Sequence, residues 1–266
     1  MSVGELEAML DARRDQLARL EQERADLQIE IDTFQAEYTA RVGQAQAELD
    51  ALELHIAEYR LRSELLRLRR GAIDAARLEY EVDRQLRGRR EQFAGFQESV
   101  RRAEQDAETH RVDLAHIDAA EIKSMYRELA KRIHPDLATD DADREARGQS
   151  MAQANAAYAQ LDAKALKSML AETEASSPAA PHRPDRLRAE IERIGRIISE
   201  RRGEIAELNR SAWMVMKLDA VLARPRGVDW FGNAKRQIEA RAAKRRVELD
   251  GLIAEFRDLV RQFGLA

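Results

Sequence analysis

The chain is predicted to be all-α, and three features of its sequence support this fold class. Charged residues make up 35% and aromatic residues 5% of the 266 positions, a balance typical of long helices and coiled coils. Only 5 prolines are present, and the first of them is Pro135. Apolar residues recur at alternating steps of 3 and 4, the spacing of one face of a helix. We expect four consecutive regions: a coiled coil at 1–118, a small helical module at 119–172, a linker at 173–184 and a helical hairpin at 185–266.

The first region carries two narrow apolar stripes. The first stripe consists of Leu27, Ile31, Phe34, Tyr38, Val42, Ala45, Leu49, Leu52, Ile56 and Tyr59. The second consists of Val82, Leu86, Phe93, Phe96, Val100, Ala103, Ala107, His110, Leu114 and Ile117. A stripe that recurs about every 3.5 residues needs a partner helix to bury it. We expect a long antiparallel coiled-coil hairpin that reverses near Gly71, and the alternative is one very long helix that pairs between two protomers.

The second region reads as short helices around a polar loop. Asp118 and Glu121 have the spacing of a helix start, and the following apolar residues define one buried face: Ile122, Met125, Tyr126, Leu129 and Ile133. Pro135 should end this helix, because a residue before proline avoids the helical conformation. Asp140 or Asp141 can cap the next helix, whose apolar residues are Met151, Ala154, Tyr158 and Leu161. One more short helix is expected from Ala163 to Ala171, starting at Asp162.

The last two regions are a linker and a helical hairpin. Three of the five prolines fall within 173–184, which indicates an extended linker. Two further stripes follow: Leu187, Ile191, Ile194, Ile198, Ile205, Leu208, Ala212 and Val215, then Phe231, Ile238, Ala242, Leu249, Leu252, Phe256, Leu259 and Phe263. Pro225 and Gly227 suit the turn between them. Trp213 and the pair Trp230-Phe231 are either packing at this turn or a patch for a partner or for self-association.

Composition and motifs argue against catalysis and against several classes of partner. The chain has no cysteine for thiol chemistry or zinc, no histidine spacing of a metal site, and no phosphate loop or nucleophile elbow. We therefore expect no enzyme activity, no cofactor and no metal. Arginines are frequent at 60–90, but we interpret them as a solvated helix face and keep nucleic-acid association as a weaker alternative. Without a signal-like start or an apolar span of about 20 residues, we expect a cytoplasmic protein with no membrane contact.

The most informative motif is His134-Pro135-Asp136, placed where the first short helix should end. Proline restricts the backbone there, which reduces the entropy that the loop would lose on binding. Four cations precede the motif: Lys123, Arg127 and Lys131 at steps of 4, and Arg132. Together they form a basic face suited to an acidic partner, and the simpler alternative is ordinary solvated surface.

The context of this motif resembles DnaJ-type J-domains. The pattern Ile122-Lys-x-x-Tyr126-Arg-x-Leu129-Ala130-Lys-Arg-x-His134-Pro-Asp136 is similar to helix II and its loop, and Met151-x-x-Ala154-Asn155-x-Ala157-Tyr158-x-x-Leu161 is similar to helix III. The resemblance implies a J-domain co-chaperone that docks on a DnaK-type 70-kDa heat-shock chaperone and stimulates its ATPase. It implies that His134, Pro135 and Asp136 form the trigger and that Lys123, Arg127, Lys131 and Arg132 are docking charges. It also implies that five residues hold helices II and III together: Tyr126, Leu129, Ala154, Tyr158 and Leu161.

Two departures from the family shape the functional expectation. Residues 109–118 do not match helix I of a J-domain, so we expect the end of the coiled coil to support the module instead. No Gly/Phe-rich segment or β-rich client-binding domain follows. The expected function is therefore an adaptor co-chaperone that recruits the chaperone to an unknown client or assembly, with self-association through the coiled coils left open. The alternative is a coiled-coil structural scaffold or interaction protein whose J fold is only a docking module.

Overall fold

A computed structural model describes residues 1–109, 119–138, 140–174 and 183–264. Over these ranges the chain consists of helices joined by turns, with no strand, which confirms the all-α prediction. The α-helices are α1 (Val3–Leu68), α2 (Ala75–Thr109), α3 (Ala119–Ile133), α4 (Asp141–Ala159), α5 (Ala163–Glu174), α6 (Pro184–Arg210), α7 (Ala212–Ala223) and α8 (Trp230–Gln262). Short 3-10 turns follow α3 and α7, at Pro135–Leu137 and Arg224–Arg226. No helix in the described ranges has a stretch long and apolar enough to cross a membrane.

The chain forms two compact units, and each unit combines segments that are distant in sequence. Unit 1 consists of Met1–Thr33 and Val112–Lys217, and unit 2 of Phe34–Arg111 and Leu218–Ala266. The continuous helix α1 contributes its first part to unit 1 and its second part to unit 2. The four consecutive regions expected above stay a prediction. Most of the expected linker, residues 175–182, lies outside the described residues.

In unit 1, α3, α4 and α5 enclose a core of their own. The rings of Tyr126 and Tyr158 stack at its centre with their centroids 4.3 Å apart. The core is completed by apolar residues of α3, α4 and α5 that are almost fully buried: Ile122, Leu129, Ala154 and Leu166. The first part of α1 covers this core with Ala18, Ala25 and Ile29. Support for the three helices therefore comes from the beginning of the chain. The segment expected to provide it, at 110–118, lies outside the described residues.

The first part of α1 also pairs with α6. Apolar residues of both helices share one buried cluster: Leu6, Leu10 and Leu17 with Leu187, Ile191, Ile194, Ile197 and Ile198. Arg14 donates to Glu190 at 2.6 Å, and Glu21 lies 2.7 Å from Arg201. Because later residues of α1 contact later residues of α6, the two helices run parallel.

In unit 2, the second part of α1 contacts α2 in the opposite direction. Glu58 of α1 accepts from Arg90 of α2 at 2.5 Å, and Arg62 donates to Glu79 at 2.8 Å. The reversal occurs at 69–74, where Gly71 has a φ of +78°. A β-carbon at Gly71 would lie 2.7 Å from the β-carbon of Phe263. Both the positive φ and this crowding therefore favour glycine at this position.

Helix α8 runs parallel to the second part of α1. Three ion pairs join residues at the same offset of 188 positions: Arg41 with Asp229, Arg60 with Glu248, and Arg67 with Glu255. Within unit 2 the second stripe of the expected C-terminal hairpin thus packs on α1, and within unit 1 the first stripe does so through α6.

The unusual aromatic residues have separate surroundings. Trp230 lies 5.8 Å from Phe34 and 6.3 Å from Tyr38, between ring centroids, so it belongs to the packing of unit 2. Trp213 is half-buried on α7. Several apolar side chains of α7 are exposed: Val215, Leu218, Val221 and Leu222. The predicted patch for a partner or for self-association therefore stays a prediction. The exposed residues of α7 support it, whereas Trp230 does not.

The basic run at 60–90 is extensively paired with carboxylates. Six of its ten arginines form ion pairs: Arg60, Arg62, Arg67, Arg77, Arg84 and Arg90. Paired guanidinium groups have less charge available for phosphates, which favours the interpretation of a solvated helix face.

Candidate functional site

The loop after α3 has the backbone that its proline predicts. Helix α3 ends at Ile133, and His134 is extended with φ −57° and ψ 128°. Pro135 then begins a 3-10 turn, closed by a hydrogen bond of 3.0 Å from the amide of Leu137 to the carbonyl of His134. The carbonyl of Arg132 accepts from Arg147 of α4 at 2.8 Å, which satisfies the end of α3 and fixes the loop against α4.

His134 is buried, with 2% of its surface exposed, and both ring nitrogens are engaged. The Nδ1 atom accepts from the backbone amide of Asp136 at 3.1 Å. A nitrogen that accepts from an amide carries no proton, so the neutral ring holds its proton on Nε2. That atom lies 2.7 Å from Oε1 of Glu21 on α1, to which it donates.

Glu21 is itself buried, with 2% of its surface exposed, and is surrounded by cationic and donor groups. Arg24 donates to its Oε2 at 3.3 Å. The Nε atom of Arg201, from α6, lies 2.7 Å from Oε1, a close ion pair in which the Nε–H makes no hydrogen bond to any described residue. Burial alone would raise the pKa of Glu21, but the hydrogen bond from His134 and the charges of Arg201 and Arg24 outweigh it and lower the pKa. The carboxylate therefore stays ionised under the loop.

The other two residues of the motif are half-buried. Helix α6 reaches the loop through Arg193, whose guanidinium donates to the backbone carbonyl of Asp136. The Asp136 carboxylate keeps 40% of its surface exposed and lies 3.7 Å from Nδ1 of His134. Pro135 is half-buried beside it. The tripeptide is thus held on its two sides by α1 and α6, with the Asp136 carboxylate partly open to solvent.

The four predicted docking cations have different surroundings. Lys123 lies 2.9 Å from Asp26, and Lys131 lies 2.8 Å from Asp15 and 3.7 Å from Asp11, all three on α1. The hydrogen bond to Asp15 raises the pKa of Lys131. Arg132 pairs with Glu128 of its own helix at 2.8 Å. Arg127 is exposed. The two lysines of the basic face therefore contact carboxylates of α1, whereas Arg132 pairs within α3.

Asp26 joins this face to the tyrosine core. It accepts from the hydroxyl of Tyr158 at 2.5 Å as well as from Lys123. Burial would raise the pKa of Asp26, but these hydrogen bonds and one from Gln22 lower it. Tyr126 donates to Asn155 at 2.7 Å, and desolvation raises the pKa of its hydroxyl. The five residues expected to hold the helices together all lie in or against this core: Tyr126, Leu129, Ala154, Tyr158 and Leu161.

Both predicted helix caps are present. Asp140 accepts from the amide of Asp143 at 2.8 Å and begins α4. Asp162 accepts from the amide of Ala165 at 2.9 Å and begins α5. The caps fix where α4 and α5 begin and so determine which of their faces meet α3.

Sequence reasoning missed the groups that cover the loop, although two of them leave a trace. The α6 stripe steps by 7 from Ile198 to Ile205, and Arg201 occupies the skipped position. On α1, Leu10 and Leu17 are followed at the next step of 4 by Glu21. A charged residue at an apolar position of each stripe indicates a buried ion pair between them. Arg193 and the aspartates of α1 leave no such trace.

Within the described ranges, no group of three or more histidine or carboxylate side chains is arranged to hold a metal ion. Comparison of the chain with protein-family models, with curated proteins and with solved structures gave no match. The described site offers one partly open carboxylate, a proline turn and a row of cations.

Proposed function

We propose that the chain is a J-domain co-chaperone that recruits a DnaK-type 70-kDa chaperone through the His134-Pro135-Asp136 loop and stimulates its ATPase. The observation that carries this proposal is the position of the tripeptide. It forms a proline-fixed turn between two helices, α3 and α4, that pack through the stacked rings of Tyr126 and Tyr158. A rigid loop beside a basic helix is suited to docking on an acidic surface.

The surroundings of the module support an adaptor. In unit 2 the long helix α1 forms ion pairs with α2 and with α8, which fits coiled-coil segments. Exposed apolar residues on α7, such as Leu218 and Leu222, are suited to contact a client or another copy of the chain.

A structural scaffold is the second candidate, and one observation favours it. His134 is almost fully buried and satisfied by Glu21, so the residue has a structural role in this conformation without any chaperone. In a scaffold, the tripeptide would serve only to end α3 and anchor α1. The two candidates differ in whether the Asp136 carboxylate is needed to stimulate the ATPase of a chaperone.

The test is single-turnover ATP hydrolysis by a DnaK-type chaperone, titrated with the full chain. We expect the hydrolysis rate to increase and saturate as the chain is added. The loop is partly covered, which raises the concentration of chain needed for half-maximal stimulation without lowering the maximal rate. Asp136→Asn should abolish the increase. Its carboxylate is partly exposed and lies 3.7 Å from the ring of His134, beyond normal hydrogen-bond distance, so the fold should tolerate the change.

The matched control is Asp258→Asn, an equal change of charge on α8, where the side chain is 73% exposed. It should stimulate like the wild type. His134→Gln is a second loop variant, and helix content by circular dichroism should verify that it folds. The proposal fails if neither the wild type nor Glu21→Gln, which removes the charge that holds His134 against α1, stimulates at about 100-fold molar excess over the chaperone. It also fails if Asp136→Asn stimulates as well as Asp258→Asn.

A further inference from the structure

We propose that this structure is the closed state of an intramolecular latch, in which α1 and α6 occupy the surface that the chaperone would bind. The latch consists of Asp11, Asp15, Glu21 and Asp26 of α1 with Arg193 and Arg201 of α6. The inference rests on the proposed function and adds its regulation: chaperone docking requires α1 to leave α3 and the loop.

The first argument is that both ring nitrogens of His134 already have hydrogen-bond partners within the chain. Its Nε2 donates to Glu21 at 2.7 Å, its Nδ1 accepts from its own loop, and 2% of its surface is exposed. A partner outside the chain can contact this ring only after displacing Glu21. Because both groups are desolvated, exchanging one partner for another without first opening the site is unfavourable.

The second argument is that the acidic row of α1 matches the basic face of α3. Asp15 and Asp11 contact Lys131 near the end of α3, and Asp26 contacts Lys123 near its beginning. The order is reversed along the two helices, so α1 lies antiparallel on α3 and its carboxylates meet the cations in register. An acidic surface of a chaperone would need these same two lysines.

The third argument is that α6 holds both α1 and the loop. Arg201 lies 2.7 Å from Glu21, and Arg193 donates to the carbonyl of Asp136. The apolar cluster shared by α1 and α6, which includes Leu17 and Ile194, keeps these groups together. Opening therefore separates a mixed polar and apolar contact, and the population of the open state falls exponentially as the free energy of this separation rises.

Two latch variants of the full chain test the inference. Glu21→Gln removes the buried charge. The double variant Asp15→Asn with Asp26→Asn removes carboxylates whose side chains are 52% and 29% exposed, so it keeps the test valid if the first variant does not fold. The matched control is Glu58→Gln, the same change at a buried glutamate of α1 that pairs with Arg90 in unit 2.

Two readouts separate the latch from the function. Hydrogen exchange at the amides of Asp136 and Leu137 reports opening without any chaperone, and we expect both latch variants to exchange at least about tenfold faster. The half-maximal concentration for ATPase stimulation should fall at least about tenfold with an unchanged plateau, because a larger fraction of molecules is competent to dock. Glu58→Gln should change neither readout.

Each other outcome refutes a specific part. If wild type and latch variants stimulate with the same half-maximal concentration, whether or not exchange changes, the latch is refuted and the proposed function stands. If exchange at the loop accelerates but neither wild type nor variant stimulates, the proposed function fails and the latch regulates no docking. If the control opens the loop as much as the latch variants do, the effect is general destabilisation and the latch is again refuted.

Discussion

Truncation of Glu21 to alanine should destabilise unit 1 by about 3–4 kcal/mol. The change leaves the Nε2–H of His134 buried without an acceptor, which costs about 1–3 kcal/mol. It also removes the carboxylate that faces Arg201, and breaking a buried ion pair costs about 3–5 kcal/mol. The two costs arise from one carboxylate and are not additive, Arg201 keeps its pair with Glu204, and Arg24 is partly exposed, so the total falls at the lower end of the second range.

A graded series makes this estimate specific. Glu21→Gln keeps an oxygen that can accept from His134 and loses only the charge, so we expect a smaller loss of about 1–2 kcal/mol. Glu23→Ala, two residues along the same helix, changes an exposed glutamate and should lie within about 0.5 kcal/mol of the wild type. The loss of stability should therefore be largest for Glu21→Ala, smaller for Glu21→Gln and smallest for Glu23→Ala. This order follows from burial and hydrogen bonding, because all three changes lie within one turn of α1.

The assay is urea unfolding followed by near-ultraviolet circular dichroism. The stacked rings of Tyr126 and Tyr158 contribute to this signal from unit 1. With a slope of about 2 kcal/mol per molar urea, a loss of about 3 kcal/mol lowers the midpoint by about 1.5 M. A midpoint for Glu21→Ala equal to that of Glu23→Ala would refute the reasoning, since it would mean that His134 and Arg201 find other partners at no cost.

Three further predictions test the site and the turn. The difference in unfolding free energy between wild type and Glu21→Gln should shrink below about pH 4. Because folding lowers the pKa of Glu21, its carboxylate stabilises the fold fully above the unfolded-state pKa, and this stabilisation is lost as pH falls through the folded-state pKa. Urea midpoints measured from about pH 7 to about pH 3 check this. Tyr158→Phe removes the 2.5 Å hydrogen bond to Asp26 and should cost about 1–2 kcal/mol by urea unfolding; no loss would mean that this bond contributes nothing net. Gly71→Ala should reduce the free energy of unfolding by about 2–3 kcal/mol and Gly227→Ala by about 1 kcal/mol, so the first should lower the thermal midpoint more. Both glycines have a positive φ, but only at Gly71 would the methyl group lie 2.7 Å from another side chain. Equal shifts of the midpoint would contradict this crowding.

The local elements of the site were predictable because each depends on near neighbours in sequence. Pro135 restricts His134, so the end of α3 at Ile133 follows from one residue. Asp140 and Asp162 cap the helices that follow them, and capping acts over three residues. The core pair Tyr126 and Tyr158 follows from the apolar spacing of two adjacent helices.

The partners of the long helices were less predictable, because one stripe fits many others. The α6 stripe around Ile194 and the α8 stripe around Phe256 were expected to meet each other, and both are paired with α1. Apolar burial is not directional, so periodicity indicates that a face is buried without indicating what covers it. The offset of 188 residues that three ion pairs share, between α1 and the segment that begins at Asp229, is a property of packing that no local pattern contains.

Sequence information was sufficient for the all-α class, for the proline turn and for the row of lysines, since these depend on backbone preference and helical period. The burial and the partners of the His134-Pro135-Asp136 motif could not be predicted in this way. Read along the chain, His134 is a loop residue available for binding, whereas folding brings Glu21 from 113 positions away to within 2.7 Å of its ring. Burial and charge pairing depend on which distant segments meet, and that choice is made by the packing of α1 and α6 around the module.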